Sequence, residues 1–118
     1  MQDRPSVRTA IPKHRYRIGA HQVALLGEVE SGDARVYRYI LAFVRAGSPQ
    51  PELYVCAEES PPGERAAGTY RLRVIGEALS ELVDTDDRWG DLETFAEQAL
   101  KLGAQALGLS RERVERLA

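Results

Sequence analysis

The sequence contains a single cysteine, Cys56, and only two histidines and two lysines among its 118 residues. One cysteine cannot form an intramolecular disulfide, whereas a small secreted domain is commonly stapled by several. The chain also lacks any run of about 20 apolar residues, the length that a membrane-spanning helix needs. We therefore expect a cytoplasmic protein in a reducing compartment, with no membrane partner.

Sequence motifs of the common catalytic classes are absent. There is no G-x-S-x-G elbow, no H-E-x-x-H zinc pair and no phosphate loop that ends in GK[ST]. The acidic stretch 84–93 fails the EF-hand pattern, because Trp89 stands where glycine is needed and Phe95 where the last glutamate is needed. We therefore predict no catalytic residue, no metal site and no cofactor, and we favour a non-enzymatic protein.

The composition is that of one folded domain. Hydrophobic residues make up 43% of the chain and charged residues 29%, and a chain of this length can bury a core without metals or disulfides. The net charge of -2 argues against a dedicated nucleic-acid binder. Residues 1–76 carry a net charge of +3 and residues 77–118 carry -5, an asymmetry compatible with anion binding or self-association.

We expect residues 1–12 to be loosely ordered and residues 13–118 to form a single domain. The first twelve residues include two prolines and lack the apolar core of a secretory signal. Chain ends are loosely ordered unless other contacts tie them down.

Alternating polar and apolar residues predict an antiparallel sheet of four to five strands in meander order. The pattern places these strands at 14–18, 22–30, 34–46, 52–58 and 69–76. The stretch Ser31-Gly32-Asp33 has the composition of a tight turn between the second and third strands. The third strand is apolar on both faces from Tyr37 to Val44, so the helix, another sheet or a second subunit is expected to cover its second face.

The stretch 91–107 predicts an amphipathic helix that covers one face of the sheet. Its apolar residues recur at steps of three and four, namely Leu92, Phe95, Ala96, Ala99, Leu102, Gly103 and Ala106. Asp91 is placed to cap the first turn, and Gly108 to end the last. A short terminal helix is predicted from Ser110 to Leu117. Strands followed by a helix are typical of the α+β class.

Two segments before the helix have more than one interpretation. Glu77–Val83 fits either a helical turn or a strand that continues the preceding one past a bulge at Gly76, and we favour the strand. Trp89 lies in a polar stretch, where a large aromatic side chain either folds back onto the core or meets a partner, and we favour the core.

His14, His21 and Cys56 are the side chains best suited to proton transfer, metal binding or nucleophilic chemistry. The two histidines do not compose a recognisable site, and we interpret them as surface or strand-edge residues. Cys56 lies in a strand pattern, where a free cysteine is ordinarily a small buried hydrophobe. A small enzyme whose site assembles from His21, Cys56 and the acidic segment stays an alternative.

Four arginines fall on the polar faces of alternating strands, namely Arg15, Arg17, Arg71 and Arg73. If the first and last strands lie close together and in phase, these arginines form a patch for carboxylate or phosphate groups. The ordinary interpretation is that they are solubilising residues paired with glutamates across strands. The longest loop, 60–68, is rich in proline and glycine, and ligand contacts often lie in such loops.

Two hypotheses about function follow. We favour a non-enzymatic interaction or ligand-binding module that self-associates as a homodimer through its sheet, because the third strand is apolar on both faces. The second hypothesis is an anion or nucleic-acid binder that uses the arginine-bearing face, although the net charge disfavours nucleic acid. The fold class does not decide between them, since strands followed by a helix occur in many unrelated domains.

Overall fold

The computed structural model describes the whole chain, Met1–Ala118, as one antiparallel sheet with a single α-helix. In chain order the elements are β1 (Val7–Ile18), β2 (His21–Ser31), β3 (Tyr37–Arg45), β4 (Leu53–Glu59), β5 (Tyr70–Gly76), β6 (Leu79–Thr85), α1 (Leu92–Ala106) and β7 (Val114–Arg116). Two short 3₁₀ segments, Pro62–Ala67 and Asp87–Gly90, precede β5 and α1. The predicted α+β class is therefore confirmed. The structure contains no helix with the length and apolar character needed to cross a membrane.

The sheet has seven strands in the order β6-β5-β4-β3-β2-β1-β7. Each of the strands β1 to β5 pairs antiparallel with the next, which confirms the meander order for β1 to β6. β7 then returns to the outer edge of β1. The two free edges of the sheet are consequently β6 and β7.

The predicted count of four to five strands is too low, and β6 is one of the two strands missing from it. A turn at residues 77–78 reverses the chain, so that β6 runs back beside β5 instead of continuing it. Strand character is therefore predicted correctly for most of Glu77–Val83, but the direction is wrong. Alternation has the same period in both directions, and it does not reveal where a strand reverses.

The predicted terminal helix from Ser110 to Leu117 is wrong, because this segment contains β7. The backbone amide of Leu117 donates to the carbonyl of Arg15 at 2.8 Å, and the amide of Arg15 donates to Ala118 at 3.1 Å. A helix of this length is marginal in water on its own. The backbone N–H and C=O groups of this segment instead form hydrogen bonds with the open edge of β1.

β1 begins at Val7, earlier than the predicted start at His14. Register shifts interrupt its pairing with β2 at three places before His14, so the outer half of β1 lacks a clean alternation of polar and apolar residues. The loose ordering expected for residues 1–12 stays a prediction.

The larger core lies between α1 and one face of the sheet. Phe95 and Ala99 of α1 are fully buried, as is Phe43 of β3 beneath them. The Asp91 side chain accepts a hydrogen bond from the Thr94 amide at 3.0 Å, and Gly108 takes a φ of 70° after the last turn. These end signals confirm the helix predicted at 91–107.

A smaller core lies on the opposite face, around Tyr37, Ile40, Ala42, Tyr54, Cys56 and Ile75. Residues Met1–Ser6, which we call the N-terminal strap, pack against it. The Met1 side chain is only 1% exposed and Pro5 is buried, while the Arg4 guanidinium donates to the Tyr54 hydroxyl at 3.2 Å. The chain itself therefore supplies cover for the second face of β3.

Gly103→Ala tests how closely α1 approaches the sheet. Helix propensity alone favours alanine by about 1 kcal/mol. However, a Cβ at position 103 would lie 2.1 Å from Cζ of Phe43. We expect this overlap to dominate and the variant to lose about 1–3 kcal/mol of unfolding free energy, measured by urea denaturation.

The control is the same substitution in a Phe43→Leu background, where the smaller side chain should reduce the cost of Gly103→Ala. If Gly103→Ala stabilises the wild-type chain, the close contact between α1 and Phe43 does not exist in solution.

Candidate anion-binding site

A cavity of about 510 Å³ opens where β4 ends and β5 begins, and we call it the arginine cleft. The residues that give the cavity its positive charge are Arg35, Arg65, Arg71 and Arg73. Only two acidic residues, Glu58 and Glu59, share its lining, so the lining residues carry more positive than negative charge, while Glu64 and Asp3 approach Arg71 and Arg35 from outside it. A cavity of this size is within the range of small-ligand sites.

Strand geometry explains why two of these arginines meet. Arg71 lies opposite Glu58 in the ladder between β4 and β5, and Arg73 lies opposite Cys56. Because side chains alternate along a strand, Arg71, Arg73 and Glu58 leave the same face of the sheet, away from α1. Leu72, between the two arginines, points to the opposite face and is fully buried in the larger core.

The carboxylate of Glu58 is the buried centre of the cluster, with a side chain that is only 4% exposed. Arg73 donates to it through Nε at 3.2 Å and through Nη2 at 3.0 Å. The Nε atom of Arg35 lies 3.6 Å from the same carboxylate. A buried carboxylate needs such partners to offset its desolvation, and in return it fixes the positions of the two guanidinium groups.

The other two arginines are held less tightly. Arg65 donates to the Ser60 carbonyl and to the Glu59 carboxylate, both at 3.3 Å. Arg71 forms only a long ion pair with Glu64, at 3.9 Å, although its side chain is just 21% exposed. The guanidinium of Arg71 therefore has donors available at the mouth of the cleft, in the planar fork that suits carboxylate and phosphate groups.

The structure divides the four arginines that the sequence pattern places on polar strand faces. Arg71 and Arg73 line the cleft, whereas Arg15 and Arg17 lie on β1, with three strands between β1 and β5. That separation is about 19 Å at the usual strand spacing. Arg17 instead donates to Glu115 at 2.8 Å. The condition for a single four-arginine patch is therefore not met, and the binding roles of these residues stay predictions.

Two residues of the cleft, Arg35 and Arg65, are absent from the sequence-based set. Arg65 lies between β4 and β5, where no alternation assigns a side chain to a face, and Arg35 falls in the predicted strand 34–46 but precedes β3, which begins at Tyr37. For Arg65 a weak signal exists, since it belongs to the proline- and glycine-rich loop 60–68. For Arg35 the sequence offers no comparable signal.

The residues of the alternative enzymatic site do not come together. His21 is opposite Arg45 and Cys56 is opposite Ile40, which are about 16 Å apart along β3. His21 is buried, unlike the predicted surface or edge histidine, with Nε2 3.1 Å from a Glu52 carboxylate oxygen. Cys56 is fully buried, and burial raises the pKa of its thiol, so the nucleophilic thiolate does not form near neutral pH.

The acidic segment is committed to hydrogen bonds within the chain. Asp84 accepts from the Trp89 indole at 3.1 Å, and Asp87 accepts from the Thr69 amide at 2.7 Å. Asp86 accepts from the Arg88 amide at 2.9 Å, which caps the 3₁₀ segment. Trp89 itself is 3% exposed, and its place in the core confirms the favoured interpretation.

The neighbouring residues Glu58 and Glu59 allow a matched test of the buried carboxylate. Glu58→Gln removes the charge that neutralises Arg73 and Arg35, and we expect it to lower the unfolding free energy by about 3 kcal/mol. Glu59→Gln changes a carboxylate whose side chain is 37% exposed, so it should shift stability by less than about 0.5 kcal/mol. Chemical denaturation of both variants makes the measurement, and equal effects would contradict the buried ion pair.

A comparison of the chain with known protein families, curated proteins and solved structures finds no match.

Proposed function

We propose that this protein is a non-enzymatic binding module whose arginine cleft holds an anionic group, either a phosphate or a carboxylate. The single observation that carries the proposal is that four arginines line one cavity whose lining contains only two acidic residues. Arginine is the side chain best matched to these ligands, because its planar fork donates two parallel hydrogen bonds to two oxygens.

Preorganisation supports the proposal. Arg73 and Arg35 are held by Glu58, so less side-chain entropy is lost when a ligand arrives. Arg71 supplies the uncommitted donors, and it stands beside these fixed charges. An anion therefore meets a positive site that is largely formed in advance.

The size of the site favours one anionic group over a nucleic-acid strand. A nucleic-acid binder needs a positive surface that follows many phosphates, whereas the chain carries a net charge of -2 and concentrates these arginines in one cleft. The ligand in this proposal is a small anion or a single anionic side chain or chain end of a partner.

A cytoplasmic location belongs to the same proposal. The chain has one cysteine, and this residue is buried as a free thiol. Such cysteine usage suits a reducing compartment.

Titration of the protein with inorganic phosphate and with citrate tests the cleft, with the arginine Nε–H signals followed by NMR. We expect the Arg71 and Arg73 signals to shift, and Arg71→Ala to weaken binding roughly tenfold, because a hydrogen bond to a charged group contributes about 1.5 kcal/mol or more. Arg71 is preferred to Arg73 for this variant, since removing Arg73 would leave the buried Glu58 with only its longer contact to Arg35.

Arg17→Ala is the matched control, because it removes the same charge from β1, which three strands separate from β5. It should leave the affinity within about twofold of wild type, as expected for a screened charge beyond one Debye length. Equal losses in both variants would contradict a local site, and so would a complete absence of binding.

Self-association is the second candidate function, and the free edge at β6 favours it. Leu79, Leu82 and Val83 of this edge strand are 38%, 39% and 43% exposed. Two copies of β6 paired antiparallel about Leu82 would place Glu81 opposite Val83 and Asp84 opposite Ser80, so no two carboxylates face each other directly. A two-fold dimer joins identical patches in this way.

Sedimentation velocity at tens of micromolar tests the dimer. We expect a wild-type dimer and a monomeric Leu82→Lys variant, because a lysine on an edge strand opposes pairing with another edge. Val114→Lys is the control, since it alters a residue of similar exposure (46%) on the opposite edge, β7. A monomeric wild-type protein would exclude this candidate without affecting anion binding.

A further inference from the structure

Asp3 of the N-terminal strap places a carboxylate against the arginine cluster. One of its oxygens lies 3.7 Å from Nη2 of Arg35. The pKa of Asp3 is lowered by a hydrogen bond from the Ser80 side chain and, against its desolvation, by the charges of Arg35 and Arg73. Asp3 is therefore an anion that the chain itself holds beside Arg35, one of the four arginines that line the cleft.

The strap that carries Asp3 is held mainly by side chains. Its backbone hydrogen bonds begin at Ser6, whose carbonyl accepts from the Gly32 amide at 2.7 Å and whose amide donates to Asp33 at 2.9 Å. Before Ser6 the anchors are the buried Met1 and Pro5 and the contact between Arg4 and Tyr54. A segment without ladder hydrogen bonds opens locally at a lower cost than a strand of the sheet.

We propose that Asp3 is a tethered competitor for the arginine cleft, so that an external anion binds at the expense of the Asp3–Arg35 contact. This inference rests on the proposed function, and it adds the regulation of that same site. The shared chemistry is direct, since Asp3 presents the carboxylate that the cleft is proposed to bind. A short tether keeps such a competitor at an effective concentration in the millimolar range.

The expected size of the competition is modest. Asp3 and Arg35 are 40% and 32% exposed, so their ion pair is in the class of partly screened surface pairs. Loss of a competitor of this strength should raise the affinity for an external anion about two- to fivefold. In the intact chain, anion binding should also disturb the environment of the strap.

Asp3→Asn tests the proposal in the full-length chain, with inorganic phosphate as the probe and the Arg35 and Arg71 Nε–H signals as the readout. We expect phosphate to bind this variant about two- to fivefold more tightly than wild type. In wild type, the backbone amide of Arg4 should shift along the same titration, because the neighbouring Asp3 side chain leaves Arg35 as phosphate binds.

Glu115→Gln is the control, since it removes the same charge from β7, where Glu115 pairs with Arg17. Equal gains in the two variants would overturn the proposal, because net charge alone would then explain them. Identical affinities of wild type and Asp3→Asn would also overturn it while leaving the cleft itself supported. If neither protein binds phosphate, the proposed function fails, and the competition fails with it.

Discussion

The two central strands, β3 and β4, carry apolar side chains on both faces, and this requires cover on both sides of the sheet. Ile40 and Cys56 are fully buried on one face, as Leu41 and Val55 are on the other. Exposure of one large apolar side chain costs about 1.5–3 kcal/mol, so neither face can stay open without a large loss of stability. α1 covers part of one face, and the N-terminal strap covers part of the other. The position of Asp3 follows from this requirement, since it lies between the strap's two buried anchors.

The same requirement explains why the charged residues gather at one end of the sheet. Glu58 follows the buried Cys56 on the strap's face, where the apolar cluster gives way to solvent. A carboxylate buried at this boundary is tolerated only with close cationic partners, which Arg73 and Arg35 supply. Arg35 and Arg73, which line the cleft, therefore also stabilise the fold. Arg65 and Arg71 complete the cleft from the loop and from the exposed end of β5, where no structural role consumes their donors to the same degree.

Features that depend on neighbouring residues were predictable from the sequence. The capped helix α1 is the clearest example, because its apolar period and its end signals act over a few residues. The tight turn predicted at Ser31-Gly32-Asp33 is instead a longer connection, since β2 ends at Ser31 and β3 begins at Tyr37. β6 and β7 were misassigned because their placement depends on a reversal and on a pairing between Tyr16 and Arg116. For the cleft, alternation identified Arg71 and Arg73, but strand order separated them from Arg15 and Arg17. Arg65 was missed because a loop residue has no period that assigns it to a face. Arg35 was missed because the predicted strand 34–46 begins before β3, which starts at Tyr37.

The short strand β7 also determines how the outer edge of β1 behaves. Its three residues pair with Tyr16, Arg17 and Ile18, which are far away in sequence. Bringing two such distant segments together costs more chain entropy than forming a hairpin between neighbouring strands. Few contacts offset that cost, and all three residues are solvent-exposed. Amide hydrogens of β7 should therefore exchange with solvent sooner than those of the sheet interior. While β7 is paired, it occupies the N–H and C=O groups at the end of β1 to which a strand of another chain could otherwise bind. Opening of β7 would expose these groups and favour edge-to-edge aggregation.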